Sequence, residues 1–107
     1  MPGTVLLKEV EATGAGGGLL INGKSEHTVE VIFTNSGGSV TALTVDLEGS
    51  IDGGTNWYTL KSYPFSAAEL VAKKTAFSVV DRRFEWVRAN ITTLTETGTT
   101  KVTVTYY

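Results

Sequence analysis

The sequence predicts an all-β fold, a two-sheet antiparallel β-sandwich or jelly roll of about eight short strands in a single domain over residues 1–107. Three observations predict it. Thr and Val recur throughout, and both suit a pleated, half-buried surface. The 12 glycines fall in clusters that punctuate the chain as turns do. Between the clusters, apolar and polar residues alternate with period two, and helical periodicity is nearly absent.

Thr4 to Glu11 reads as the first extended segment. It runs into Thr13-Gly14-Ala15-Gly16-Gly17-Gly18, too flexible for regular structure, which predicts a loop. Leu19 to Ile21 is a short apolar strand closed by Asn22-Gly23, a pair that supplies the positive φ angles of a tight hairpin. In His27–Thr34, Val29, Val31 and Phe33 point one way and Thr28, Glu30 and Thr34 the other, with Ile32 interrupting the polar side. Asn35-Ser36-Gly37-Gly38 turns the chain. The clearest strand follows: Leu43, Val45, Leu47, Gly49 and Ile51 on one face, Thr44, Asp46, Glu48 and Ser50 on the other. A turn at Asp52-Gly53-Gly54 joins it to a strand over Trp57–Lys61 in a hairpin. Ser62 to Thr75 breaks the pattern. One or two helical turns are expected near residues 66–72, with Ser66 as N-cap and Glu69 as its capping-box partner, in a crossover between sheets. After a short strand over Ala76–Val80, Glu85–Ile91 sets Val87, Ala89 and Ile91 against Phe84, Trp86, Arg88 and Asn90. Glu96-Thr97-Gly98 turns into Lys101–Tyr107, where Val102, Val104 and Tyr106 alternate with Lys101, Thr103 and Thr105.

Composition narrows the function classes. A net charge of -2 gives no electrostatic footprint for nucleic acid. With no cysteine there is neither a disulfide framework nor a thiolate metal site, so stability must come from the core or from neighbouring subunits. Met1-Pro2-Gly3-Thr4 lacks the basic and apolar regions of a signal peptide, and no apolar stretch approaches the ~20 residues of a membrane span. Synthesis in a cytoplasm is expected, and retention there unless a partner carries the chain elsewhere.

Chemistry-bearing residues are sparse. His27 is the only histidine and would have to serve any Ser-His-acid triad; beside a turn, a solvated or hydrogen-bonded role is favoured over hydrolysis. One histidine without cysteine argues against zinc. Asp46, Glu48 and Asp52 carry oxygen ligands suited to calcium. The favoured reading makes Asp46 and Glu48 a solvated strand face and Asp52 an Asx-type turn. Gly14, Gly16, Gly17 and Gly18 precede a strand-like Leu19-Leu20-Ile21 rather than a helix with a lysine, which excludes a phosphate cradle. Asp81-Arg82-Arg83 reads as a solvated corner of little energetic worth. No catalytic residue, metal or cofactor is expected.

The aromatics carry more. If Val87, Ala89 and Ile91 point inward, then Phe84, Trp86 and Arg88 form an outward stripe of the composition enriched at interface hot spots, joined by Tyr58, Tyr106 and Tyr107. The competing reading covers this face with the Ser62–Thr75 crossover and makes Trp86 a core residue. Exposed aromatics on a sandwich also suit a carbohydrate-binding or host-adhesion module, although no surrounding cluster of Asp, Asn and Arg stands out.

Val45-Asp46-Leu47-Glu48-Gly49-Ser50-Ile51-Asp52-Gly53-Gly54-Thr55-Asn56-Trp57-Tyr58-Thr59-Leu60, followed by Phe84-Glu85-Trp86-Val87-Arg88-Ala89-Asn90-Ile91 and a Thr/Val strand, resembles small β-sandwich structural proteins of tailed bacteriophages. The match covers residues 43–107. It implies a virion component, assembled in the host cytoplasm, in which Gly49, Asp52, Gly53 and Trp57 shape a hairpin and nothing catalytic carries over. Such modules serve as head decoration, neck or tail parts. One compact unit without shaft or coiled coil favours a decoration or cement protein that binds the major capsid protein or other virion proteins, with a trimer or other cyclic homo-oligomer expected.

Overall fold

The computed structural model describes residues 3–107. Their order is β1 (Thr4–Val10), β2 (Gly14–Ala15), β3 (Leu19–Lys24), β4 (His27–Ser36), β5 (Val40–Ser50), β6 (Tyr58–Pro64), α1 (Ala67–Ala72), β7 (Lys74–Val79), β8 (Phe84–Glu96) and β9 (Thr99–Tyr106). Two antiparallel sheets pack face to face as a β-sandwich. The first runs β1-β9-β4-β7; the second runs β2-β8-β5-β6, with β3 also against β8.

Period-two alternation builds the layer between them. Val29, Val31 and Phe33 of β4 and Val102, Val104 and Tyr106 of β9 meet Leu43, Val45 and Leu47 of β5 and Val87, Ala89 and Ile91 of β8, all buried. Register keeps these side chains level, with Val31 opposite Val104 and Leu47 opposite Ala89. Phe33 and Phe65 close one flank, and Tyr63 stacks on Phe77 at 5.0 Å between ring centroids.

The chain changes sheet at one end through two adjacent turns, Ser36–Val40 and Glu96–Thr99. Asn35 binds them: its amide donates to Thr97 O at 3.0 Å and Thr100 Oγ1 at 2.8 Å, while its Oδ1 accepts from Gly38 N–H at 3.1 Å. The β6–β7 crossover is made by α1. Ser66 Oγ accepts from Glu69 N–H at 3.2 Å and the Glu69 carboxylate accepts from Ser66 N–H at 2.9 Å, which is the expected capping box. Lys73 ends the helix in the left-handed region, and β7 follows at once.

Several expectations are corrected. The glycine-rich segment, expected as a loop, contains the two-residue β2, whose Gly14 and Ala15 pair with Ile91 and Asn90; the described residues form nine strands, in keeping with the expected sandwich. Asn22-Gly23 does adopt positive φ, at 54 and 77 degrees, but forms an irregularity within β3 against β8 rather than a hairpin. The chain does not double back there, because β4 joins the other sheet. Ile51, expected inside, lies beyond the end of β5 and is 64% exposed.

Candidate interaction surface

The β5–β6 connection is organised by one carboxylate. Asp52 Oδ1 accepts from Ser50 Oγ at 2.8 Å and from Asn56 N–H at 2.9 Å, and Oδ2 accepts from the Asn56 amide at 2.6 Å. Ser50 Oγ in turn accepts from Gly54 N–H at 2.9 Å. These bonds, led by that from the Asn56 backbone, favour the ionised form and hold Asp52 at about 2. Gly53 and Gly54 sit at φ 75 and 91 degrees, where a Cβ would be strained. Gly54 O accepts from Trp57 Nε1–H at 3.0 Å, which fixes the indole at the foot of the loop.

That indole leads onto the outer face of the second sheet. The Arg88 guanidinium lies 4.4 Å from the Trp57 ring centroid, and its Nε donates to Glu48 Oε1 at 2.6 Å. Asn90 donates to Glu48 Oε2 at 3.2 Å. A side chain on Gly18 would press within 3.0 Å of Trp57 and 3.4 Å of Trp86, so the glycine-rich segment runs close over both indoles. This face is therefore roofed. Asp46 and Glu48 are each 9% exposed and Ser50 is fully buried, which overturns the expectation of a solvated carboxylate face. Among the described residues, no group of three or more His, Asp or Glu side chains is placed to hold a metal ion. Asp52 is committed to its loop.

The expected outward stripe divides. Trp86 and Arg88 face outward but are half-buried, beneath Gly18 and beside Trp57 rather than under α1, which packs on β5 and β7. Phe84 turns the other way. Gly49 has no side chain, and a Cβ there would fall 2.6 Å from the Phe84 ring, so Phe84 occupies that space and packs against the core. Its other neighbours are Tyr58, at 6.4 Å between centroids, and the Arg82 guanidinium at 5.9 Å. Tyr58 is 52% exposed and Tyr107 is 38% exposed. Tyr106 is corrected outright: it is 4% exposed and belongs to the core.

Tyr106 also bonds His27, which is 1% exposed. His27 Nε2 lies 2.6 Å from Arg82 O, which can only accept, so Nε2 carries the proton. In the neutral imidazole, Nδ1 then accepts from the Tyr106 hydroxyl at 2.6 Å. Burial raises that hydroxyl to about 12. The partners of His27 are thus a tyrosine hydroxyl and a backbone carbonyl, not the serine and carboxylate of a Ser-His-acid triad.

Of the exposed apolar residues, Ile51 and Tyr58 lie on the β5–β6 hairpin; Tyr58 is backed by Phe84, whose ring the Arg82 guanidinium also approaches. Sequence reasoning names Tyr58 and Phe84 for this surface and reads Arg82 as part of a solvated corner, but places Ile51 inside. Ile51 follows the inward alternation of its strand and is released only where β5 ends. At the opposite end a cleft of about 310 Å³ lies between α1 and the β4–β5 turn, lined by Phe33, Val40, Leu70 and Val71. The chain matches no protein-family model, and no curated protein matches it.

Proposed function

We propose that the chain is a non-enzymatic structural protein of a tailed-phage virion, a head-decoration or cement protein that binds the major capsid protein. The observation that carries the reading is the hairpin. The Gly49–Leu60 segment and the Phe84–Ile91 strand, on which the resemblance to phage sandwiches rests, meet in space through Gly49 with Phe84 and Trp57 with Arg88. Together they shape a tip carrying Ile51, Tyr58 and Phe84 with Arg82 beside them, the mixture of aromatic, aliphatic and arginine side chains that anchors protein interfaces. That His27 bonds a tyrosine hydroxyl and a backbone carbonyl, rather than a serine and a carboxylate, supports a binding rather than a hydrolytic role. Sugar stacking is less well served, because Trp57 has Arg88 over its ring and Gly18 against its edge.

The test is co-sedimentation of the purified chain with phage heads that lack it. Saturable binding to heads is expected, and Tyr58→Ala should weaken it about 30-fold, as loss of a hot-spot aromatic does. Recovery with tails instead of heads would select a neck or tail position; failure to bind any virion part would refute the reading.

A further inference from the structure

The free edges of the two sheets are not equivalent. β1 slips register twice against β9 and holds Glu9 at φ 49 degrees. The edge along β8 is divided between β2 and β3, with an irregularity between Leu20 and Lys24. β6 ends at Pro64 and shifts register against β5. Bulges, short segments, proline and charged side chains are the usual means of blunting an edge against pairing with another chain. β7 carries only Lys74, at its first position, and neither a bulge nor a proline interrupts it. Its pairs with β4 run unbroken from His27–Val79 to Ile32–Lys74.

The hydrogen-bond directions follow from the neighbouring ladder. Tyr107 N–H donates to Thr28 O at 2.9 Å, so the backbone groups of Thr28 face β9. Alternation turns those of His27, Val29 and Val31 toward β7, and Phe33 N–H accordingly donates to Lys73 O at 3.0 Å. Val79, Phe77 and Thr75 therefore bond inward to β4, and the N–H and C=O groups of Lys74, Ala76 and Ser78 point off the open edge. All three residues are exposed, and among the described residues no backbone hydrogen bond from another element reaches them.

We infer that β7 pairs antiparallel with β7 of a second copy of this chain, about a two-fold axis at Ala76, joining two four-stranded sheets into one of eight. The segment is complementary to itself. Ala76 meets Ala76, so nothing bulky crosses the axis, and Lys74 meets Ser78, so no like charges are opposed. Glu30 flanks Ala76 on β4, and the copy's Lys74 reaches the same outer face with only Ala76 and Ser78 between them, which sets opposite charges across the axis twice. The inference is independent of the virion reading and is tested on the purified chain alone.

Because the chain has no cysteine, Ala76→Cys places a single thiol on the axis. Paired residues there would have Cα atoms about 5.5 Å apart, within disulfide range. Under mild oxidation A76C is expected to form covalent dimers at least about tenfold faster than Ser78→Cys, whose thiol would face the copy's Lys74. Sedimentation of the unaltered chain should show a concentration-dependent dimer. Ala76→Lys opposes like charges on the axis without disturbing a buried group, and should raise the dissociation constant at least about tenfold. Equal cross-linking of the two cysteine variants, or a chain that remains monomeric at millimolar concentration, would overturn the inference.

Discussion

Replacing Arg88 with Met tests whether the outer face of the second sheet is a second buried layer. Glu48 is 9% exposed, and its two oxygens are held by Arg88 at 2.6 Å and Asn90 at 3.2 Å. Arg88→Met keeps most of the aliphatic volume but leaves the Glu48 carboxylate buried with one neutral donor. Stranding one member of a fully buried pair costs about 3–5 kcal/mol. The Arg88 side chain is 26% exposed against 11% for Glu48, so water partly screens this pair, and about 2–3 kcal/mol is the fitting share. Loss of the guanidinium from the Trp57 ring adds about 0.5–1 kcal/mol. The sum, about 3 kcal/mol, should lower the thermal midpoint by roughly 12–20 °C in a domain of this size. Urea unfolding of three variants checks the reasoning. R88M should be the least stable. Glu48→Gln should cost less, because the freed guanidinium is already part-exposed and can turn to water. The E48Q/R88M double variant should recover most of the loss, since it removes the stranded charge itself. An R88M cost below about 1 kcal/mol, or a double variant no more stable than R88M, would show that the carboxylate is effectively solvated and that the face is not a buried layer.

Two further predictions concern pH. The folded state raises the Tyr106 hydroxyl from 10.0 to about 12 by burial, so it holds that proton more tightly than the unfolded chain does. The resulting stability is complete below pH 10 and is lost as pH climbs from 10 through 12, amounting to about 1–2 kcal/mol after discounting for solvent screening. Tyr106→Phe should be less stable than the parent at pH 8, where it forfeits the bond to His27, yet lose less between pH 9 and 11; parallel alkaline decline of the two thermal midpoints would refute this. At the acid end, donation chiefly from Thr75, then from Ser66 N–H and the Tyr63 hydroxyl, lowers Glu69 from 4.5 to about 2. Its contribution is present above pH 4.5 and disappears as pH falls toward 2, so Glu69→Gln should flatten the acid decline over that range. Midpoints of variant and parent that fall together would count against it.

What could be read in advance follows a physical line. The capping box at Ser66 and Glu69, the turn at Asp52-Gly53-Gly54 and the inward alternation of β4, β5, β8 and β9 are set by neighbours within a few residues, and local chemistry suffices to place them. Alternation assigns a side chain to a face but does not say what lies over that face. It therefore reads Asp46 and Glu48 as a solvated face and leaves Arg88 open between an outward stripe and a covered one, whereas Gly18 and Trp57, distant in sequence, close over Trp86 and Arg88. The same limit governs Asn22-Gly23. Positive φ at both positions is met equally by a hairpin or by an irregular strand, and only the destination of β4 in the other sheet decides between them.

Phe84 and Tyr106 carry the argument to the candidate surface. Alternation alone sent Phe84 outward with Trp86; the space that draws it back is the missing side chain of Gly49, on a strand it meets only after folding. That glycine belongs to the β5–β6 hairpin, so the hairpin does more than turn the chain: it admits an aromatic ring from β8 and fixes it beside Tyr58. The tip thus depends on one absent side chain, with Phe84 as its floor and Tyr58 as its accessible ring. Tyr106, whose hydroxyl is spent on His27, is withdrawn from any such role. Under the proposed function, the accessible aromatic contact is consequently concentrated at the end of the sandwich, at Tyr58, rather than spread along a strand. This geometry leaves the edge of β7, on the flank, free to engage a different neighbour at the same time.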